Sequence, residues 1–335
     1  MQPLDARDLQ LLDRWQRGFP LLPAPFAAVA REEGREEADI LAALARLGEI
    51  GVLSRVGAVV RPNTAGASLL AAMRVAPDQL ERVAAIVNAE PGVNHNYERE
   101  HAFNLWFVVT AEDKAARDAA LSRLRTATCH DILELPLLES YYIDLGFRLA
   151  AAPTVERKPV LTEQPSRAEQ EISAADRRLI GALDAGLPLV SRPYAALAAM
   201  LGVGEEHVIE RLASLVEAGV IARLGLVVRH RPLGFTANAM AVWDVPDEHV
   251  ARVGALLAAE PCVTLCYRRP RRRPDWRYNL FCMVHGRERA AVAAEIERLT
   301  QRAGLGDCAS AVLFSRRCFR QRGARLQRSE ARMVS

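Results

Sequence analysis

Gly51-Val52-Leu53-Ser54-Arg55-Val56-Gly57 returns as Gly219-Val220-Ile221-Ala222-Arg223-Leu224-Gly225, and this repetition decides how the chain is read. Outward from it the match continues. Asp8 aligns with Asp176, Pro25 with Pro193, Pro91-x-Val93 with Pro261-x-Val263, and Phe103-Asn104-Leu105 with Tyr278-Asn279-Leu280. A segment starting near Leu4 is thus written again from near Ile172. A tandem of this kind builds a pseudo-dimer whose halves can diverge. Divergence matters for an asymmetric ligand, because identical halves present identical surfaces.

Within each copy the apolar period changes once. Leu4, Leu9, Leu11, Leu12 and Trp15 recur at helical spacing over 4–17, and Pro20, Pro23 and Pro25 interrupt the pattern. Helices follow over 26–33 and 36–47, the latter with Ile40, Leu41, Leu44 and Leu47 on one face. Gly48 and Gly51 end it before a β-rich ribbon over 52–60. Three helices and a ribbon make a winged helix-turn-helix, repeated over 174–228 with Val208, Leu212 and Leu215 on its third helix.

The rest of the first copy reads strand 69–75, helix 78–90, strands 93–99 and 104–110, helix 113–125 and strand 132–142. The second reads 236–245, 247–260, 263–269, 278–285, 287–303 and 309–319 in the same order. This is the ferredoxin-like β-α-β-β-α-β arrangement. Asp78 and Asp247 suit helix caps or first-turn acids. The fold expected is α+β, a tandem duplication of winged helix-turn-helix plus ferredoxin-like domain. Its parts are 1–62, 63–149, a Pro-rich linker over 150–170, 171–232, 233–327 and a tail over 328–335.

At 335 residues, 50% hydrophobic and 25% charged, the chain fits several modest globular domains. No apolar run approaches the ~20 residues that span a bilayer. The start Met1-Gln2-Pro3-Leu4-Asp5 lacks a signal-peptide pattern, so a cytoplasmic protein is expected. The six cysteines form no C-x-x-C pair, which speaks against structural zinc and for reduced, mostly buried thiols. Net charge is only +3, yet Arg268, Arg269, Arg271, Arg272, Arg273 and Arg277 crowd ten positions, and Arg316, Arg317, Arg320, Arg322, Arg325 and Arg328 follow. Charge runs are usually solvated faces, but this density, interleaved with Trp276 and Tyr278, points to an anionic partner.

A winged helix followed by a ferredoxin-like domain, twice over nearly the whole chain, resembles the Lrp/AsnC family of transcription regulators. The resemblance implies a helix-turn-helix for the major groove and a ferredoxin-like domain that dimerises and binds effectors. The charges oppose DNA, because phosphate contacts need basic side chains. The turn and third helix read Arg31-Glu32-Glu33-Gly34-Arg35-Glu36-Glu37-Ala38-Asp39. The second copy reads Leu201-Gly202-Val203-Gly204-Glu205-Glu206-His207, with no Lys or Arg until Arg211. The winged helices are expected as scaffold, without DNA as a partner.

The informative strands are Val93-Asn94-His95-Asn96-Tyr97-Glu98-Arg99 with Asn104-Leu105-Trp106-Phe107, and Val263-Thr264-Leu265-Cys266-Tyr267-Arg268-Arg269 with Tyr278-Asn279-Leu280-Phe281. Paired strands of the form Tyr-x-Arg … Asn-Leu-Trp/Phe on this scaffold resemble the siroheme decarboxylases, in the form that fuses two subunit types. Asp275-Trp276-Arg277-Tyr278-Asn279-Leu280-Phe281-Cys282-Met283-Val284-His285-Gly286 is especially similar to the second subunit type. The resemblance implies loss of two acetate carboxyls, at ring carbons 12 and 18, giving 12,18-didecarboxysiroheme on the way to heme d1 or heme. It also implies no organic cofactor, the iron arriving with the substrate.

Siroheme is a flat macrocycle with eight carboxylates, so its site wants arginine forks and aromatic walls. Arg99, Arg268, Arg269, Arg271, Arg272 and Arg273 are the candidate forks. Tyr97, Trp106, Tyr267 and Tyr278 are candidate walls, and Asn104, Asn279, His230 and His285 candidate polar contacts. Decarboxylation leaves carbanion character that must be protonated, a task that suits histidine. His95 and His101, flanking Tyr97-Glu98-Arg99, are the candidate general acids, and either could contact the substrate iron. By period two, His95, Tyr97 and Arg99 share a face. The second copy has Leu265 in place of His95, so the halves are not equivalent sites. His130, His207 and His249 read as solvated. The pseudo-dimer could associate further. Two other classes stay open: an Lrp-like regulator or heme-sensing DNA-binding protein, and a tetrapyrrole carrier.

Overall fold

A computed structural model describes residues 4–143, 172–229 and 231–323. The expected linker, the tail and His230 lie outside the described residues. In chain order the first copy gives α1 (Ala6–Arg14), α2 (Pro25–Glu33), α3 (Glu37–Glu49), β1 (Leu53–Val60), β2 (Ala67–Met73), α4 (Leu80–Ala89), β3 (Val93–Arg99), β4 (Leu105–Ala111), α5 (Lys114–Thr128), β5 (Leu133–Leu135) and β6 (Glu139–Ile143). The second gives α6 (Ala174–Ala182), α7 (Pro193–Leu201), α8 (Glu205–Glu217), β7 (Ile221–Val228), β8 (Ala237–Trp243), α9 (Asp247–Ala258), β9 (Val263–Arg268), β10 (Leu280–Gly286), α10 (Arg289–Arg302) and β11 (Ser310–Gln321). The described residues sort into two units by function of position rather than by copy. One holds the helical parts of both copies, up to Ala65 and from 172 to Gly234; the other holds both β-rich parts.

Local chemistry sets the helix ends. Asp5 caps α1 by accepting from the Asp8 N–H at 2.7 Å, and Ser173 and Asp176 form a reciprocal capping box on α6. Pro25 and Pro193 occupy the first helical positions, where no N–H is needed. Gly34 and Gly202 close α2 and α7 in the left-handed conformation. Asp247 lies in the first turn of α9 as expected. Asp78 does not cap α4, whose N-cap Gln79 makes no side-chain bond.

In the helical unit, the expected ribbon is a single strand per copy. β1 pairs antiparallel with β7, so the wing strands pair between copies, with Gly57 opposite Gly225 at the centre. The glycines of the repeated Arg-Val-Gly and Arg-Leu-Gly also lie where backbone at the end of a helix passes close to the strand. The end of α1 from the first copy lies against β7: the Leu226 N–H donates to the Trp15 carbonyl at 2.8 Å, and a Cβ on Gly225 would meet the Gln16 carbonyl oxygen at 2.4 Å. The mirror contact is looser, with a Cβ on Gly57 reaching the Leu183 carbonyl at 3.3 Å. The Tyr194 hydroxyl adds a bond to the Pro20 carbonyl at 2.9 Å.

The β-rich unit is a nine-stranded sheet in the order β5-β2-β4-β3-β11-β8-β10-β9-β6. Each copy has the ferredoxin order, its last strand beside its first. The exchange comes at the last strands. β11 pairs with β8 through Phe314 and then runs on along β3 of the first copy. The single strand expected over 132–142 is broken at Pro136: β5 stays on β2, while β6 crosses to β9. The outer faces carry helices over two separate cores. The inner face is shared by both copies: Leu70, Trp106, Leu133 and Leu135 meet Met240, Tyr267, Trp276, Phe281 and Leu313. Of the cysteines only Cys266 and Cys282 are buried, contrary to the expectation for most of them. Cys129 is exposed because it ends α5 in the left-handed conformation.

The two crossings use opposite charges. Glu98 on β3 faces Arg317 on β11, with Arg317 Nε donating to Glu98 at 2.6 Å. At the equivalent position Arg268 on β9 faces Glu139 on β6. Two first copies paired together would oppose Glu98 to Glu139, and two second copies Arg268 to Arg317. The pattern favours unlike pairing, since like charges directly opposed destabilise a sheet.

Two outcomes follow in calorimetry. Gly225→Ala is expected to cost about 1–3 kcal/mol by overpacking, and Gly57→Ala clearly less; equal costs would refute the cross-copy account. Glu98→Arg should lower stability by on the order of 1 kcal/mol. Adding Arg317→Glu should recover part of it, and strict additivity of the two changes would show that the pair does not couple.

Candidate active site

β3 carries the first set of candidates. Asn96 turns to the helical side, where its amide donates to the Ala84 carbonyl and to Asn88. Strand alternation then puts His95, Tyr97 and Arg99 on the inner face, as the sequence pattern implied. The Arg99 guanidinium stacks toward Tyr97, 5.8 Å from its ring centre, and donates to the Leu313 carbonyl of β11 at 3.0 Å. The second copy repeats this. Arg269 lies 4.6 Å from the Tyr267 ring centre and donates to the Leu135 carbonyl of β5. Each Tyr-x-Arg therefore reaches across to the other copy's last strand. Arg269 Nε is enclosed without a partner, and burial holds its guanidinium below the ordinary arginine value.

The turn after β3 meets a loop of the second copy. Four residues (100–103) separate Arg99 from Asn104, but nine (270–278) separate Arg269 from Asn279. The longer loop is a small hairpin, with Arg272 and Trp276 exchanging backbone hydrogen bonds of 2.6 and 2.8 Å. It inserts Trp276 among His101, Phe103, Trp106, Tyr278 and Phe281, at 5.4, 6.1, 5.2, 4.9 and 5.9 Å between ring centres. Tyr267 stacks on Phe281 at 5.6 Å, so a continuous run of rings leads from Arg269 to His101.

His101 Nδ1 accepts the Phe103 backbone N–H at 3.0 Å, which fixes a neutral ring with its proton on Nε2. Burial, and then the charge of Arg74, push its pKa down. Arg74 stacks over Phe103 at 4.3 Å and pairs with Asp275 at 2.8 Å. Arg74 was not among the residues singled out from sequence. Nothing local marks it, because only the register of β2 on β4 brings it to this turn.

Other candidates are engaged elsewhere. Asn104 clamps the Val75 backbone, accepting its N–H at 2.9 Å and donating to its carbonyl at 2.8 Å. Asn279 does the same to Val245 at 2.8 and 2.9 Å. Their repetition reflects a duplicated fold contact. Trp106 is core, its indole donating to the Phe103 carbonyl at 2.7 Å, and Tyr267 is buried with it. Arg268 turns to the opposite face from Tyr267 and pairs with Asp247 at 2.9 Å. Arg271 pairs with Asp244 and Asp247 at 2.6 and 2.9 Å, and Arg273 with Asp244 at 3.4 Å. Arg271 holds the Asp247 carboxyl below its usual range. Arg272 donates to the Glu134 carbonyl at 3.0 Å. The arginine run is therefore mostly neutralised by two aspartates upstream. Tyr278 remains half-buried against Trp276. His285 hydrogen-bonds Thr264 at 2.9 Å at the far end of β10. His95 and His101 sit in different surroundings: His95 lies within β3 beside Tyr97, whereas His101 lies in the turn beyond the strand, its N–H donating to the Arg99 carbonyl at 3.0 Å, and packs on Phe103 and Trp276.

Comparison with known proteins agrees with this arrangement. Residues 65–141 and 232–320 match the AsnC-like ligand binding domain, and residues 8–53 and 176–221 match the siroheme decarboxylase NirDL-like HTH domain. The siroheme decarboxylase NirDL subunit of Paracoccus denitrificans is 46% identical over 324 residues, 96% of this chain and 97% of that one. The siroheme decarboxylase of Hydrogenobacter thermophilus is 34% identical, over 91% and 90% of the two chains. A crystal structure of the siroheme decarboxylase NirDL in co-complex with an iron-uroporphyrin III analogue superposes with a TM-score of 0.67 at 29% identity, over 96% and 93% of the chains.

The clamp assignment is testable by melting. Asn104→Ala and Asn279→Ala each leave a buried backbone N–H without its acceptor and should each cost about 1–3 kcal/mol. An unchanged melting temperature with weakened ligand binding would instead make them ligand contacts.

Proposed function

The chain belongs to the siroheme decarboxylases, in the form that joins both subunit types, and we propose that it converts siroheme to 12,18-didecarboxysiroheme for heme d1 synthesis. The observation that carries the site assignment is Arg269. It is an enclosed guanidinium whose described partners are a carbonyl and a phenol ring, with no carboxylate among them. A half-buried cation whose Nε is enclosed, with no carboxylate among its described partners, suits an anionic ligand, because an uncompensated charge taken out of water is costly. Arg99 and Arg269 are proposed to grip carboxylates that the substrate keeps, and Tyr97 and Tyr278 to flank the ring.

In the reaction the bond between an acetate methylene and its carboxyl breaks. The electron pair stays on the arm and its pyrrole, carbon dioxide leaves, and a proton returns to make a methyl group. No organic cofactor is proposed, the iron belonging to the substrate. The two histidines take different parts. His101 cannot gain a proton on Nδ1 without losing its bond from Phe103, so it acts as a neutral N–H donor to a carboxylate. His95, on the same face as Tyr97 and Arg99, is proposed to supply the proton. DNA is left out of the proposal, since Arg46, Arg192 and Arg211 of the helical unit are paired with Asp8, Glu205 and Asp176. No helix among the described residues is long and apolar enough to cross a membrane.

Anaerobic incubation of the purified chain with siroheme, followed by mass spectrometry, is expected to show loss of two carbon dioxide units without added cofactor. An unchanged mass would sink the decarboxylase reading. His95→Ala should still bind siroheme but turn it over about 10²–10⁴-fold more slowly; full activity would move the proton donor elsewhere.

A further inference from the structure

Trp276 is the one tryptophan without an acceptor for its indole N–H. The sequence has four. Trp15 donates to Glu33 at 2.8 Å, Trp106 to the Phe103 carbonyl at 2.7 Å and Trp243 to Thr300 at 3.2 Å. Trp276 is 1% exposed, and its Nε1 is enclosed with no hydrogen-bond partner. Leaving a buried donor unmet costs about 1–3 kcal/mol, whereas phenylalanine would fill much of the same space without that cost. Looseness does not explain the orphan. The backbone of Trp276 is tied to Arg272, and Arg271 anchors the loop to Asp244, Asp247 and the Val245 carbonyl.

We infer that Trp276 and His101 form a carboxylate-anchoring subsite, with the indole N–H and the Nε2–H of His101 as its two donors. Both groups donate only, given the His101 tautomer, so the ligand group must accept. Arg74 stacks over Phe103 beside His101, so its guanidinium stands near the subsite as a charge an anion can use. The Arg74–Asp275 pair beside the subsite is more than half exposed on both sides, so a substrate carboxylate can replace Asp275 at small cost.

The subsite exists once per chain. Trp276 lies on the 270–278 loop, which has nine residues where its counterpart in the first copy has four, and the first copy has no tryptophan there. A macrocycle with carboxylates all round its rim can enter a symmetric slot in several rotations. One anchoring subsite fixes the rotation, and with it which arms lie beside the proton donor. This inference rests on the proposed siroheme chemistry and assigns its orientation to a single loop.

The test uses the full chain and an iron uroporphyrin as an eight-carboxylate probe, titrated by absorbance, with melting measured on ligand-free protein. Trp276→Phe is expected to melt at the wild-type temperature or above and to raise the dissociation constant roughly 5- to 100-fold. Binding as tight as wild type would overturn the subsite, whatever the melting temperature. If Trp276→Phe melts lower and also binds more weakly, His101→Asn decides, since its Oδ1 can keep the bond from the Phe103 N–H while the Nε2 donor is lost. Weaker binding without a change in melting supports the subsite, and unchanged binding refutes it. Wild-type protein that fails to bind the probe would instead overturn the tetrapyrrole reading, and this inference with it.

Discussion

The β-rich unit depends on one arrangement: the last strand of each copy leaves its own sheet and continues on the edge of the other. An edge strand with unmet N–H and C=O groups is a liability, and here β3 and β9 are each covered by the other copy's chain. The same crossing places Leu313 and Leu135 where Arg99 and Arg269 can reach their carbonyls. It also makes the inner face the joint property of both copies. A half-chain would expose the apolar inner face of its sheet together with a bare edge, so the inner face exists as a site only in the pair.

The sequence was most informative about period and least about partners. Alternation on β3 placed His95, Tyr97 and Arg99 correctly on one side, because period two is a local property. The ribbon was misread because a strand looks the same whether its neighbour is its own hairpin or another copy. The arginine run was misread for a similar reason. Its counter-ions, Asp244 and Asp247, lie far back in the chain, 27 and 24 residues before Arg271. Asn104 and Asn279 looked like chemistry because they recur beside aromatic residues. They recur because each copy needs the same clamp where its first strand runs on toward its helix.

The two copies agree in the backbone clamps and the Tyr-x-Arg reach, and differ in one histidine, one loop and the charges of the crossing. Asn104 and Asn279, and Arg99 and Arg269, are matched in identity and in the backbone groups they bond, and Tyr97 and Tyr267 in identity and in the arginine beside them. His95 has become Leu265, the 270–278 loop has grown, and the crossing charges are reversed. Reversal of Glu98/Arg317 to Arg268/Glu139 is available only to halves that no longer need to recognise themselves. It supports an obligate pairing of unlike copies, which covalent linkage then makes permanent.

That asymmetry bears on how the inner face can be both a core and a binding surface. Most of its rings touch one another and exclude water, as a core requires. Two N–H groups beside these rings are left unmet, the Arg269 Nε and the Trp276 indole. Both are donors, and each lowers the stability of the empty protein without improving its packing. An acceptor-rich ligand would relieve both costs at once, so part of its binding free energy would come from satisfying donors already buried rather than from new apolar area. Such preformed donors can discriminate: a ligand lacking the matching carboxylate leaves them unmet and gains only ring contact. An apolar lining of the same shape would bind any flat macrocycle, whereas this one selects by where the carboxylates stand.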